Sequence, residues 1–125
     1  MADAERLICA SADLAEGGDG VRFEIEVEGK PEPAFAIRYS GRVHAYLNRC
    51  AHMPMELDWK PGKFFDVWGL HLICSTHGAT YAPDTGRCVR GPCFEEGLVP
   101  VPVEERDGRV FVGRVFVKGN PYGRR

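Results

Sequence analysis

Residues 50–78 of the chain are CAHMPMELDWKPGKFFDVWGLHLICSTHG. The stretch opens with Cys50-Ala51-His52 and ends with Cys74-Ser75-Thr76-His77-Gly78, so each end carries one thiol and one imidazole at short spacing. These two groups hold half of the chain's four histidines. A lone cysteine or histidine is ordinary in a folded protein, whereas two mixed groups of this kind indicate a metal centre.

The residues before Cys50 are predicted to form β-strands. Apolar and polar residues alternate along Val21–Gly29, which is the period of a strand with one buried face. Two more strands are predicted at Ala34–Tyr39 and Val43–Asn48, with Ser40-Gly41 as the turn between them. This hairpin leads directly to Cys50.

The residues after His52 also favour strands and turns. Short strands are predicted at Phe64–Val67 and at Leu70–Ile73, and the second of them ends at Cys74. Turns dominate residues 75–97, which contain four glycines and two prolines. A last hairpin is predicted over residues 98–112 around Asp107-Gly108. Only residues 11–16 favour a turn of helix, with Ser11 as its cap. The predicted fold is therefore all-β, a small sandwich or barrel that presents two ligand loops.

The composition narrows the class of protein. The chain has 125 residues, 44% of them hydrophobic, and we expect a single domain over 1–125 with a core at about 20–113 and a tail at 114–125. Its formal net charge of −2 argues against a nucleic-acid-binding protein. No signal-peptide pattern and no membrane-length apolar run is present, so we expect a soluble protein of the cytoplasm.

The donor set admits two metals. Two cysteines and two histidines satisfy a tetrahedral zinc ion, which would make the chain a zinc-stabilised interaction module. Zinc sites commonly pair like ligands in each loop, however, and each loop here mixes one Cys with one His. That mixture suits a dinuclear [2Fe–2S] cluster with both cysteines on one iron and both histidines on the other. The odd count of five cysteines does not favour a disulfide scaffold.

The two ligand groups resemble the Rieske pattern, Cys-x-His followed by Cys-x-x-His. Residues 80–93, TYAPDTGRCVRGPC, are similar to the third loop of that family, in which a Gly-Pro pair covers the cluster. Here that pair is Gly91-Pro92. The resemblance runs from about residue 20 to residue 113 and implies the Rieske fold, with a cluster-binding subdomain. It also implies one [2Fe–2S] cluster per chain, bound by Cys50, His52, Cys74 and His77.

The resemblance also implies a role. We expect a Rieske ferredoxin, a one-electron carrier between a reductase and a terminal oxidoreductase such as a ring-hydroxylating oxygenase, with no catalytic residues of its own. A complete Rieske oxygenase does not fit, because it needs a second iron site of two histidines and a carboxylate, and only His44 and His71 remain. A small Rieske subunit of a larger oxidoreductase is the alternative with the same cluster.

Several positions depart from the pattern of high-potential Rieske proteins. The extra disulfide of those proteins cannot form, because Met55 and Thr76 stand at the matching positions. Ala79 replaces the serine that donates a hydrogen bond to the cluster, while Tyr81 falls where a tyrosine hydroxyl reaches a ligand sulfur. Tyr81 is equally well interpreted as a core aromatic. These positions predict the disulfide-free branch and a potential low in the Rieske range.

The other candidate residues receive structural interpretations. Cys88 and Cys93 are expected to be thiols rather than a disulfide, and Cys9 a small packed residue. His44 is expected to point outward, and His71 to be structural. The spacer between the two ligand groups is longer than is common in the family, and we interpret Leu57–Phe65 as a partner-facing protrusion. Trp59 and Trp68 are expected to complete the core, with contact to a partner as the alternative. Met53 and Met55 are expected to cover the cluster.

Overall fold

The computed structural model describes residues 6–50, 56–58, 60–74, 78–91 and 97–112. These residues form nine short β-strands and one turn of 3₁₀ helix, Ser11–Asp13. In chain order the strands are β1 (Arg6–Ala10), β2 (Val21–Val27), β3 (Lys30–Tyr39), β4 (Arg42–Leu47), β5 (Leu72–Ile73), β6 (Thr80–Tyr81), β7 (Cys88–Arg90), β8 (Val103–Arg106) and β9 (Arg109–Val112). They make three antiparallel sheets, ordered β1-β9-β8, β2-β3-β4 and β5-β6-β7. The prediction of an all-β fold is confirmed.

The β2-β3-β4 sheet is a meander joined by two tight turns. Ser40 and Gly41 have φ values of 56° and 78°, and Glu28 and Gly29 have φ values of 52° and 82°. Positive φ at both central residues defines the two-residue turn whose twist matches that of the flanking strands. The hairpin predicted at Ser40-Gly41 is confirmed, and Cys50 comes shortly after its second strand, β4.

Strand β3 begins earlier than predicted, at Lys30 instead of Ala34, and contains Pro31 and Pro33. Proline is rare inside sheets because it has no N–H to donate. Here the carbonyl of Pro33 accepts a hydrogen bond from the Asn48 N–H at 2.8 Å, on the side away from β2. The N–H and C=O of a strand residue point to the same side, so an N–H on residue 33 would also point away from β2. Proline at this position therefore removes no hydrogen bond between β3 and β2.

Strand β1 was not predicted. It lies at an edge of its sheet and pairs only with β9 in the described chain, where a shift in register between Leu7 and Cys9 breaks its alternation. Leu7 is consequently exposed, and the adjacent Ile8 and Cys9 are both half-buried. A bulge of this kind removes the period-2 signal on which sequence prediction of strands depends. The 3₁₀ turn follows β1 directly, with Ser11 inside it and Ala10 at the cap position.

The segment before Cys74 folds as a turn followed by a short strand. Of the two strands predicted at 64–73, only Leu72–Ile73 forms, and Phe65 makes an isolated bridge to Leu72. Asp66 closes the turn: its N–H donates to the His71 carbonyl at 2.8 Å, and its Oδ1 accepts from the Leu70 N–H at 3.0 Å. A side chain that bonds its own backbone in this way competes with strand pairing.

Two buried clusters hold the sheets together. One lies between the β2-β3-β4 sheet and the hairpin of β8 and β9, whose predicted turn at Asp107-Gly108 is confirmed. The other packs the same sheet against β5, β6 and β7 and contains the stacked rings of Phe35 and Phe64, 3.9 Å apart. In the described part of the chain, no helix has the length and apolar character needed to cross a membrane.

Candidate metal centre

Two of the four predicted ligands, Cys50 and Cys74, lie in the described chain, and both are buried. Cys50 follows β4 and is 3% exposed, while Cys74 follows β5 and is fully buried. Both belong to one apolar cluster, and neither is disulfide-bonded. The other two predicted ligands, His52 and His77, lie outside the described residues. The fold therefore brings the ends of two separate strands, and their thiols, into one core.

The second ligand group is held at both of its ends. The Cys74 N–H donates to the Ala79 carbonyl at 2.8 Å, and the Gly78 N–H donates to the Cys74 carbonyl at 2.8 Å. Gly78 has φ +73°, a conformation that glycine adopts without cost. Strand β6 then returns antiparallel to β5, with Tyr81 opposite Leu72. Cys74 is therefore the first residue of the connection between β5 and β6.

Tyr81 connects this hairpin to the first ligand group. Its hydroxyl oxygen lies 3.3 Å from the Cys50 sulfur, and its side chain is fully buried. A deprotonated, metal-bound sulfur has no hydrogen to give, so the tyrosine hydroxyl is then the donor. The interpretation of Tyr81 as a core aromatic is confirmed by its burial, and its hydroxyl also reaches the sulfur of Cys50, a predicted ligand.

The third loop packs on the second ligand group through glycine. A Cβ on Gly91 would lie 2.9 Å from the Cα of Ala79 and 3.2 Å from the carbonyl oxygen of Gly78. Gly91 also has φ +100°, so only glycine fits here both sterically and conformationally. Ala79 is fully buried and brings no side-chain donor. Pro92, the second residue of the Gly-Pro pair, lies outside the described residues.

The spacer predicted to protrude, Leu57–Phe65, is buried near its two ends and exposed between them. Leu57 and Phe64 are fully buried, while Lys60 and Pro61 are exposed. Among the described large apolar residues, the most exposed lie further along, in the turn closed by Asp66, where Val67 is 89% and Trp68 76% exposed. The interpretation of Trp68 as a core residue is therefore wrong, and Trp59, Met53 and Met55 lie outside the described residues.

The remaining cysteines give one correction. Cys88 is disulfide-bonded, so the prediction that it carries a thiol is wrong. Cys93, for which a thiol was also predicted, lies outside the described residues. Cys9 is a thiol and packs beside the core of the β8-β9 hairpin, as predicted. Burial, followed by the charge of Asp13, raises the pKa of the Cys9 thiol, which keeps it protonated near neutral pH.

The two other histidines lie apart from the cysteines. His44 sits in β4 opposite Ile37 and lines a small cavity of about 230 Å³ with Asp84 and Thr85. His71 lies beside the turn, with its Nδ1 at 3.6 Å from Asp66 Oδ2. These surroundings agree with the structural role predicted for His71, and His44 is half-buried rather than fully outward.

The donors in the described chain fit an iron–sulfur cluster. Two cysteine sulfurs lie in an apolar core, and a buried hydroxyl lies 3.3 Å from one of them. Thiolates surrounded by apolar groups and a small number of hydrogen-bond donors are the setting in which a protein holds such a cluster and adjusts its potential.

Comparisons with known proteins identify the family of the chain. A family model, the Rieske [2Fe-2S] domain, matches residues 5–110. A search of curated protein sequences finds no match.

Solved structures with the same fold include two ferredoxins and an oxygenase. The ferredoxin of carbazole 1,9a-dioxygenase from Nocardioides aromaticivorans IC177 is 19% identical, with a TM-score of 0.67 over 90% of this chain and 100% of that one. The Sphingomonas yanoikuyae B1 ferredoxin is 23% identical, with a TM-score of 0.67 over 88% of this chain and 97% of that one.

The terminal oxygenase of carbazole 1,9a-dioxygenase from Nocardioides aromaticivorans IC177 is 26% identical, with a TM-score of 0.66. That match covers 94% of this chain and 31% of the oxygenase chain. The family match extends over most of the sequence and contains both buried cysteines and Tyr81. The chain therefore belongs to the Rieske [2Fe–2S] domain family, whose cofactor is a [2Fe–2S] cluster.

Proposed function

We propose that Cys50 and Cys74 bind one iron of the cluster and that His52 and His77 bind the other. The observation that carries this proposal is the meeting of the two buried cysteines in one core, with the Tyr81 hydroxyl 3.3 Å from the Cys50 sulfur. Neutral imidazoles matter because two thiolates balance the charge of an oxidised [2Fe–2S]²⁺ core, whereas four leave it dianionic. An electron enters a neutral centre more easily, so the potential lies above that of all-cysteine ferredoxins.

In this proposal the chain is a one-electron carrier and not an enzyme. The cluster supplies reversible one-electron chemistry when it is bound, and the chain's own residues hold it, exclude water from its sulfurs and adjust its potential. We place the whole function in a single domain over 1–125, with its core at about 20–113 and a tail at 114–125.

The proposed partners are a reductase that gives the electron and a terminal oxidoreductase that receives it, such as a ring-hydroxylating oxygenase. The structural match to the ferredoxin of carbazole 1,9a-dioxygenase, which covers 100% of that ferredoxin chain, supports a carrier. We place this exchange in the cytoplasm. A small Rieske subunit of a larger oxidoreductase has the same site, and purification from the native cell separates the two by whether the chain leaves its partner.

The experiment that tests the proposal is a metal assay combined with a reductive titration. The purified chain should be reddish brown, contain iron and sulfide but no stoichiometric zinc, and take up one electron per cluster. His52→Cys or His77→Cys should perturb the visible spectrum or lose the cluster, while His44→Gln should leave both unchanged. Colourless protein with one zinc per chain, or loss of the spectrum in the His44 variant, would show that the assignment is wrong.

A further inference from the structure

A buried polar network closes the first ligand loop at its base. Asn48 and the side chain of Asp58 are each 1% exposed. The Asn48 Oδ1 accepts a hydrogen bond from the Leu57 N–H at 2.9 Å, and its Nδ2 donates to Asp58 Oδ1 at 3.1 Å. The other carboxylate oxygen, Asp58 Oδ2, accepts from the Gly62 N–H at 3.0 Å. Each polar atom of the two side chains therefore has a partner.

The network joins residues that are far apart along the loop. Asn48 comes two residues before Cys50, while Leu57 and Asp58 come after the loop, so the contacts bring both ends of residues 49–56 together. This segment contains Cys50 and His52. Bringing the ends of a loop together reduces the conformational freedom that its residues lose when they bind a ligand.

The same base is fixed to the β2-β3-β4 sheet. The Asn48 N–H donates to the Pro33 carbonyl at 2.8 Å. Arg22, in β2, places its Nε 3.5 Å from Asp58 Oδ2 and bonds Glu56 at 2.7 Å. The loop base is thus attached to two neighbouring strands, and its position follows that of the sheet.

A buried carboxylate and amide are a costly way to fill a core. Apolar side chains of similar size are often equally stable or more stable at such positions, while a polar pair specifies one geometry because every mismatch is penalised. The Asn48–Asp58 pair has this property, since its donors and acceptors fit in only one arrangement.

We propose that Asn48 and Asp58 are positioning residues that hold the first ligand loop in the geometry in which Cys50 and His52 bind the cluster. This inference rests on the ligand assignment of the proposed function and deepens it. The two residues act through the loop and do not touch the cluster themselves.

The hydrogen-bond pattern makes the proposal testable by an exchange of residues. In Asp58→Asn, the new amide oxygen can still accept from the Gly62 N–H. Its NH₂ group then faces the NH₂ group of Asn48, so two donors meet. In Asn48→Asp, one carboxylate oxygen can still accept from the Leu57 N–H. The other oxygen then faces the carboxylate of Asp58, so two acceptors meet. Each single change therefore creates one mismatch. The double variant Asn48→Asp/Asp58→Asn restores all three hydrogen bonds, with the donor and acceptor of the central one reversed.

The measurement is the rate at which the oxidised holoprotein releases iron to a chelator, together with the EPR spectrum after reduction. Each single variant should release iron about tenfold faster or more, the equivalent of about 1.4 kcal/mol, and should show a shifted or broadened signal. The double variant should return toward the wild-type rate and spectrum.

A matched control separates positioning from general destabilisation. Glu105→Gln weakens another side-chain pair, with Arg38, whose Nη2 donates to Glu105 Oε2 at 2.7 Å. Arg38 lies five residues beyond Pro33 on β3, roughly 16 Å along the strand from the loop base. Iron release is compared at temperatures equally far below each variant's melting point, and Glu105→Gln should then match the wild type.

The outcomes are distinct. If the single variants match Glu105→Gln in iron release, or if the double variant is worse than both singles, the positioning role is wrong. A failure of the proposed function looks different, because the wild-type protein itself would then contain no iron.

Discussion

The Tyr81 hydroxyl lies 3.3 Å from the sulfur of Cys50, and both side chains are buried. Tyr81 belongs to β6, which pairs with β5, the strand that Cys74 follows, while Cys50 follows β4. One hydrogen bond therefore connects the two halves of the site. It also places a donor beside the sulfur of a proposed ligand, in a buried core where such a bond has its largest effect.

Removing this donor should lower the reduction potential. A hydrogen bond to the sulfur stabilises the reduced, more negative cluster more than the oxidised one, so Tyr81→Phe loses that preference while the ring still fills the core. We expect the cluster to remain bound and the midpoint potential, measured by protein-film voltammetry, to fall.

Tyr46→Phe is the matched control. Tyr46 is also buried in this core, but its hydroxyl donates to the Pro83 carbonyl at 2.8 Å and not to a ligand. Its loss should cost about 1–3 kcal/mol of stability, because a buried carbonyl loses its partner, with no shift in potential. Equal potential shifts in the two variants would show that Tyr81 has no specific effect.

The wild-type potential should be low within the Rieske range, which is roughly −150 to +300 mV. Ala79 gives no side-chain donor, while Tyr81 keeps one. The same voltammetry measures the value directly. A midpoint well above zero would mean that other donors, which this account does not include, determine the potential.

Replacing Gly91 with alanine should disturb the second ligand loop. The new Cβ would meet the Cα of Ala79 at 2.9 Å, on top of the strain of a positive φ. Gly108→Ala carries the positive-φ strain alone, about 1–2 kcal/mol, because nothing lies within 4 Å of its Cβ position. We expect faster iron release in Gly91→Ala than in Gly108→Ala, and equal rates would exclude a steric role for Gly91.

The Arg38–Glu105 pair should make stability depend on acid pH. The Arg38 guanidinium hydrogen-bonds Glu105 and holds the pKa of that carboxyl below its usual value of about 4.3. A lowered folded-state pKa gives stability that is present above the unfolded pKa and is lost as the pH falls through the folded one. The free energy of unfolding of wild type minus that of Glu105→Gln should therefore be constant above about pH 5 and decrease below about pH 4.

Chemical denaturation across this pH range checks the prediction. Glu104→Gln is its control, since the Glu104–Arg106 pair is exposed and such pairs contribute about 0–1 kcal/mol. A difference that does not change with pH would contradict the role given to Glu105.

Local patterns in the sequence predicted most of the β-structure. The turns at Ser40-Gly41 and Asp107-Gly108 were found because Gly must take φ > 0 there, and β2 was found because its alternation follows a half-buried face. The sequence did not predict β1 or the first residues of β3, because a bulge interrupts the alternation of β1 and prolines lie in β3. The hydrogen bonds that keep these residues in their sheets come from other parts of the fold.

The sequence predicted candidate ligands but not the contacts that surround them. Spacing and resemblance pointed to Cys50 and Cys74, which the fold buries in one core, and resemblance pointed to Tyr81. Nothing local marks Asn48 and Asp58 as partners, because they are ten residues apart in the sequence and meet only in the folded chain. The projecting turn at Val67 and Trp68 was likewise hidden, since apolar residues near a strand favour a core interpretation.

The central claim is that two cysteines and two histidines, Cys50, His52, Cys74 and His77, hold one [2Fe–2S] cluster. Electron–nuclear double resonance on the reduced holoprotein tests it most directly, because it detects nitrogen bound to the paramagnetic centre. We predict couplings from two imidazole nitrogens, altered in His52→Cys or His77→Cys and unchanged in His44→Gln. A reduced cluster without nitrogen coupling, or couplings that disappear with His44, would contradict the account.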